Sequence, residues 1–161
     1  MSFAIRPAKP EDAPALVRLI AALADYEKLL AEVENDEARI RETFFGPSPR
    51  AFCSVAELAG ELVGYAIWFY SYSTFTGRHG IYLEDLFVLP EHRGAGIGSA
   101  FLRDLAARCV AERLTRLEWS VLDWNEPSIG FYRSLGSAPV DGWTRYRLAG
   151  DALARLGSAE T

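Results

Sequence analysis

The chain has little with which to bind a metal, cross a membrane or hold a nucleic acid. Its histidines are two, His79 and His92, and its cysteines two, Cys53 and Cys109. They lie far apart with no acidic ligand set around them, so no metal is expected. Two cysteines, one in a strand-like and one in a helix-like stretch, make no disulfide framework and read as free buried thiols. The longest apolar runs fall far short of the ~20 residues that span a bilayer. Met1 to Arg6 do not read as a signal peptide, and the expected location is the cytoplasm with no membrane partner. Lysine and arginine number 17 against 22 aspartate and glutamate, giving a net charge of −5. With no basic cluster either, a nucleic-acid partner is not expected.

What is present is apolar sequence in regular portions. Half of the 161 residues are hydrophobic, enough for one sizeable core. A single domain over residues 1–156 is expected, with 157–161 a frayed tail. Phe3 to Ile5 reads as a strand ended by Pro7. A helix follows from about Pro10, with Leu16, Leu19, Ile20, Leu23, Tyr26 and Leu30 on its apolar face. Asn35 is the expected cap of a second helix, Asp36 to Phe45. Phe52 to Leu58 and Leu62 to Tyr72, joined at Ala59-Gly60, read as a hairpin, and Ser73 to Gly80 as a polar loop. Ile81 to Leu89 is nearly continuous apolar sequence, the mark of a central strand. A long helix to Arg113, a strand at Leu117 to Leu122 and a short helix at Pro127 to Leu135 follow. Val140 to Leu148 is expected to close the sheet, and Asp151 to Leu156 to form a short tail helix. This alternation predicts an α/β (α+β layered) fold.

The most informative stretch joins the central strand to the long helix: His92-Arg93-Gly94-Ala95-Gly96-Ile97-Gly98. Glycines at every second position leave backbone N–H groups uncovered where a helix begins, and the helix dipole there favours an anion. Ile97, Phe101, Leu105 and Cys109 repeat every four residues and support that helix. The dinucleotide fingerprint fails, because Ser99 stands where its third glycine belongs. The P-loop fails because no lysine follows Gly98. A plain flexible connector remains the alternative from spacing alone.

Arg93-Gly94-Ala95-Gly96-Ile97-Gly98 resembles the acyl-CoA pyrophosphate loop of the GNAT N-acetyltransferases. Tyr82-Leu83-Glu84-Asp85-Leu86-Phe87-Val88 before it and Trp124-Asn125-Glu126-Pro127-Ser128-Ile129-Gly130-Phe131-Tyr132 after it resemble the diamine (spermidine/spermine-type) or thialysine branch. Ile5-Arg6-Pro7-Ala8 and Ala24-Asp25-Tyr26-Glu27-Lys28 fit the same branch. The resemblance implies a mostly antiparallel sheet with splayed middle strands. It also implies acetyl-CoA as donor, a small primary amine as acceptor, direct transfer in a ternary complex, and a homodimer. The aromatic strand around Trp68 offers surface for the dimer.

Acetyl transfer to an amine needs the amine deprotonated, the leaving thiolate stabilised and both reactants held close. The resemblance gives Tyr132 the thiolate; a phenol of pKa about 10 can protonate it. It places Glu84 at the substrate amine, as binding group or as base through water. Glu84 and Asp85 are carboxylates in an apolar strand, and neighbours there face opposite sides. Glu84 is expected to share a side with Tyr82, Leu86 and Val88, and a burial-raised pKa would suit it as base. Asp85 is the better candidate for a buried salt bridge. Arg93, Gly94, Ala95, Gly96, Ile97, Gly98 and Ser99 would hold the pyrophosphate. Leu86, Phe87 and Val88 would offer backbone to the pantetheine arm. Asn125 either bonds the cofactor or caps the helix near Pro127, with Ser128 beside it. Tyr26 and Glu27 match a pair lining the amine pocket, and Asp141 a further acidic residue there.

One departure bears on the acceptor. Polyamine enzymes of the branch carry an aspartate where this chain has Ser73, so a thialysine-like amino acid or short diamine is expected before spermidine. A protein or peptide amine, and a non-catalytic acyl-CoA-binding sensor module, are the rival readings. Tyr132 and Glu84 are both present, which counts against the sensor.

Overall fold

The computed structural model describes residues 2–158. Two compact units are formed, one through Ser120 and one from Val121.

The first unit is a five-stranded sheet, β1 Ala4–Pro7, β2 Phe52–Leu58, β3 Glu61–Ser73, β4 Arg78–Val88 and β5 Leu117–Trp119, in that spatial order. The first four strands pair antiparallel, and β4 with β5 parallel. The mostly antiparallel, layered α/β fold predicted from the sequence is the one observed. Helices α1 (Ala13–Tyr26) and α2 (Glu37–Phe45) cover one face, and α3 (Ile97–Ala111) the other. Leu16, Leu19 and Ile40 meet Val55, Tyr65, Ile67 and Phe87 in the core between α1, α2 and the sheet. Each α1 leucine is an apolar residue on the stripe the sequence predicted, so hydrophobic burial drives this face together.

Several boundaries move, each for a local reason. Asp36, not Asn35, caps α2: its side chain accepts the Arg39 N–H at 2.8 Å, which spares an orphan donor of the first turn. Helix α1 stops at Tyr26, and Leu30 lies beyond it in a short 3-10 turn, exposed. The polar stretch after Tyr72 is mostly strand, because Ser71, Tyr72 and Ser73 pair with Gly80, His79 and Arg78. Only Thr74 to Gly77 turn. Ladder hydrogen bonds do not require apolar side chains. Trp68 is not a surface residue: it is 4% exposed, stacked on Phe52 and lying under the Arg108 guanidinium.

The second unit holds α4 (Glu126–Ser134) and α5 (Gly150–Ser158). The expected closing strand at Val140 to Leu148 is absent: among the described residues no strand follows Trp119. The left-handed Gly142 (φ 85°) interrupts the run, and a strand pattern without a paired neighbour does not hold. The tail helix is longer than expected and includes Gly157 and Ser158. The rest of the expected frayed tail, 159–161, lies outside the described residues.

Candidate active site

The register of β3 against β4 builds the site. Ile67 lies opposite Asp85 and Trp68 opposite Leu83, so Glu84 is an extra residue, a β-bulge. Residues paired across strands share a face. Tyr82 pairs with Phe69 and Leu86 with Ala66, three residues apart on β3, hence on opposite faces. The expectation that Glu84, Tyr82, Leu86 and Val88 share one side is therefore corrected: alternation shifts at the bulge. Glu84 is turned out and exposed, while Asp85 is half-buried on the α1 face with Phe87.

The same bulge explains which carboxyl is perturbed. Burial pushes Asp85 up to about 6, helped by the charges of Glu84 and Glu27; a hydrogen bond from Tyr65 Oη to Asp85 Oδ2 at 3.4 Å pulls the other way. Tyr65 is itself fully enclosed, and burial, then Asp85, raises its phenol far above the ordinary value. Asp85 has no ion-pair partner among the described residues, so the buried salt bridge expected for it is not made. The carboxyl that burial raises on this strand is that of Asp85. Sequence reasoning missed this because a single inserted bulge residue is invisible to period-2 alternation.

Glu27 joins these two carboxylates. It caps the C-terminus of α1, half-buried, and burial raises its carboxyl. A carboxylate at the negative end of a helix dipole is unfavourable, so the corner formed by Glu27, Glu84 and Asp85 suits a cation. Lys28 follows in the left-handed conformation (φ 62°), and its N–H bonds to Asp25 O while that of Leu29 bonds to Ala24 O. This closing motif fixes the backbone around Tyr26 and Glu27.

The parallel pairing of β4 and β5 ends at Leu83 and Trp119, whereas β4 runs on to Val88. Here the two strands part. Beyond β4 a short 3-10 turn, Pro90–His92, leads into the glycine loop. Gly94 (φ 78°) and Gly96 (φ 83°) are both left-handed, and Gly96 is the N-cap of α3. No side chain caps that end, so the first N–H groups of α3 after Gly96 are presented as an anion cradle. Ile97 is buried beneath it and anchors the helix; Ala95 is exposed, and Gly98 and Ser99 lie in the first turn. Phe87 is 3% exposed with its ring in the core, so only its backbone is open to a cofactor arm.

Arg93 is engaged. Its Nε donates to Val88 O at 3.0 Å, and its guanidinium lies 4.8 Å from the Tyr26 ring centroid and 5.7 Å from that of Phe87. The structure thus brings together Tyr26, Phe87, Val88 and Arg93, and beside them Glu27, Glu84 and Asp85.

In the second unit, Asn125 is 5% exposed, and its Oδ1 accepts the Ser128 N–H at 3.4 Å as the cap of α4. Asn125 thus caps α4. Tyr132 is half-buried on α4, its ring 5.3 Å from Phe131, and its carbonyl accepts the Ser137 hydroxyl at 2.8 Å. Asp141 is exposed in a turn with Gly142. Ser73, back in the first unit, is 7% exposed, and its Oγ accepts the Thr76 N–H at 3.4 Å. It ends β3 and braces a turn, and is not in an open loop.

A left-handed glycine loop at a helix start, a parted pair of strands and a cluster of carboxylates are thus brought together in the first unit. Residues 17–136 match the sequence pattern of the acetyltransferase (GNAT) family, and the chain belongs to that family. It is an amine N-acetyltransferase; the family takes its acetyl group from acetyl-CoA. The thialysine N-epsilon-acetyltransferase of Sus scrofa is 39% identical over 166 residues, spanning 96% of this chain and 97% of that protein. The enzyme of the same name from Bos taurus is 40% identical over 163 residues, spanning 94% and 95%. Among solved structures, an integron cassette protein from the mobile metagenome of V. cholerae superposes with a TM-score of 0.83 at 23% identity over 99% of both chains. That likeness concerns the fold. No helix among the described residues is long and apolar enough to cross a membrane.

Proposed function

We propose that the protein transfers acetyl from acetyl-CoA directly, in a ternary complex, to the primary amine of a small cation: a thialysine-like amino acid or a short diamine. The observation that carries this is the carboxylate corner of Glu27, Glu84 and Asp85, joined to the glycine loop through Arg93 and Tyr26. The names of the relatives support the acceptor class.

In this reading the amine nitrogen attacks the thioester carbonyl carbon, the C–N bond forms and the C–S bond breaks. Glu84, exposed at the bulge, binds the ammonium with Tyr26, Glu27 and Asp141. Asp85, with its pKa near the working range, is the better placed of the two β4 carboxylates to take the amine proton. Tyr132 returns a proton to the departing thiolate. Arg93 and the N–H groups from Gly94 to Ser99 hold the pyrophosphate, the backbone of Leu86 to Val88 pairs with the pantetheine arm, and Asn125 and Ser128 complete the donor side from α4. No metal takes part. The family match runs across both units, which supports one functional domain over 1–156. The working form is a cytoplasmic homodimer, consistent with two free, buried cysteines.

The test is CoA release by the purified protein with acetyl-CoA and thialysine, lysine, putrescine, spermidine, spermine and a basic peptide. Turnover greatest with thialysine or putrescine supports the reading. Turnover only with the peptide makes the protein a peptide acetyltransferase. Tight acetyl-CoA binding with no turnover on any amine makes it a sensor module.

A further inference from the structure

Arg93 stands at the junction of the two half-sites, and its contacts are divided between them. Its Nε is bonded to the carbonyl of Val88, on the strand offered to the donor. Its guanidinium plane packs on Phe87, which is rigid core, and on Tyr26, which ends α1 at the amine corner. Among the described residues neither terminal nitrogen of Arg93 has a hydrogen-bond acceptor. Those two nitrogens are the edge that a phosphate takes bidentately. The side chain is therefore held by its inner nitrogen and its faces, with its outer edge free.

We propose that Arg93 and Tyr26 form a link that couples donor binding to acceptor binding. The Tyr26 ring holds the guanidinium in the one orientation that meets the donor phosphate. The phosphate-bound guanidinium in turn fixes the ring that lines the amine pocket. Ordering the arginine beforehand removes part of the entropy lost on binding, so Tyr26, which lies far in sequence from the glycine loop, contributes to acetyl-CoA affinity. By linkage, whatever factor the bound donor adds to amine affinity the bound amine adds to donor affinity. The proposal rests on the reading of Arg93 as a phosphate ligand and deepens it: Tyr26 becomes a positioning residue for the donor.

The experiment is calorimetric titration of acetyl-CoA into the wild type, Tyr26→Leu, Tyr26→Phe, Arg93→Lys and the Arg93→Lys/Tyr26→Leu double variant. A cation–π contact of this exposure corresponds to about a two- to five-fold change in affinity. Tyr26→Leu is expected to weaken acetyl-CoA by that factor, and Tyr26→Phe, which keeps the ring, to match the wild type. In the Arg93→Lys background, which lacks the planar group, Tyr26→Leu should cost nothing further. Wild-type affinity in Tyr26→Leu overturns the link. So does a Tyr26→Leu loss that persists in full on Arg93→Lys, since damage to α1 unrelated to the guanidinium would behave that way. No amine is present, so an error in the acceptor leaves the test intact. A wild type that fails to bind acetyl-CoA condemns the donor-site reading itself, whereas binding indifferent to Tyr26 condemns only the link.

Discussion

Tyr65 donates its hydroxyl hydrogen to Asp85 at 3.4 Å from a ring with no solvent exposure. The bond favours the ionised carboxylate against the burial that disfavours it. Tyr65→Phe removes the donor and leaves the ring. The Asp85 pKa must then rise above about 6, and the acid limb of the kcat/KM–pH profile must move to higher pH. A limb that stays in place, or moves down, would show that Asp85 does not govern it.

Asp85 also links activity to stability. Its folded-state value of about 6 lies above the ordinary 3.8, so the folded protein binds the proton more tightly than the unfolded chain. Stability from this group is full below about pH 4 and is lost as pH rises through 6. The gap between the folded and unfolded values corresponds to about 3 kcal/mol. Asp85→Asn removes the ionisation. It should stabilise the protein at pH 8 by about 1–3 kcal/mol, with an advantage that shrinks on acidification toward pH 4. It should also lower kcat/KM by about 10²–10⁴, the usual worth of a general base. Thermal melts at several pH values and steady-state kinetics check the two halves separately. A variant equally stable at pH 8 and pH 4 relative to wild type contradicts the linkage.

Much of this was legible in the sequence, and what was not has a common cause. The glycine loop, the α3 stripe and the β2–β3 hairpin are local patterns, and each appears where the spacing predicts it. The errors fall where a distant partner decides. Glu84 leaves the side of Leu86 and Val88 because the β3–β4 register carries a bulge there. Trp68 is covered because Phe52 and Arg108 reach it from β2 and α3. Val140 to Leu148 has a strand's alternation but no paired neighbour. The Arg93–Tyr26 contact joins positions 67 residues apart, and periodicity carries no information at that range.

Gly96 and Gly130 separate two uses of glycine. At Gly96 (φ 83°) an added Cβ meets nothing within 4 Å, so the demand is purely conformational. Gly96→Ala forces a left-handed alanine at the α3 cap, costing about 1–2 kcal/mol, and should weaken acetyl-CoA at least several-fold as the cradle distorts. Gly130 lies inside α4 in open space with no left-handed φ. Gly130→Ala should stabilise by about 0.5–1 kcal/mol. Chemical denaturation of both variants, with an acetyl-CoA titration of the first, tests the assignment. Destabilisation by Gly130→Ala would mean that α4 is packed more closely there than its geometry indicates.

Tyr132 carries the last prediction. It sits in the last turn of α4 with its ring against Phe131, half-buried, so it has a packing role as well as the proposed chemical one. Tyr132→Phe separates them, because the ring stays and only the hydroxyl goes. If the hydroxyl protonates the leaving thiolate, its loss acts in the transition state alone. Then kcat and kcat/KM for acetyl-CoA should both fall by about 10²–10⁴, with acetyl-CoA affinity unchanged. A packing role alone predicts kcat preserved at saturating substrate and a melting temperature near that of the wild type, since the ring is kept. The decisive measurement is therefore kcat, with the melting temperature of the same variant as the control. Full kcat would return the proton to solvent and remove Tyr132 from the chemistry.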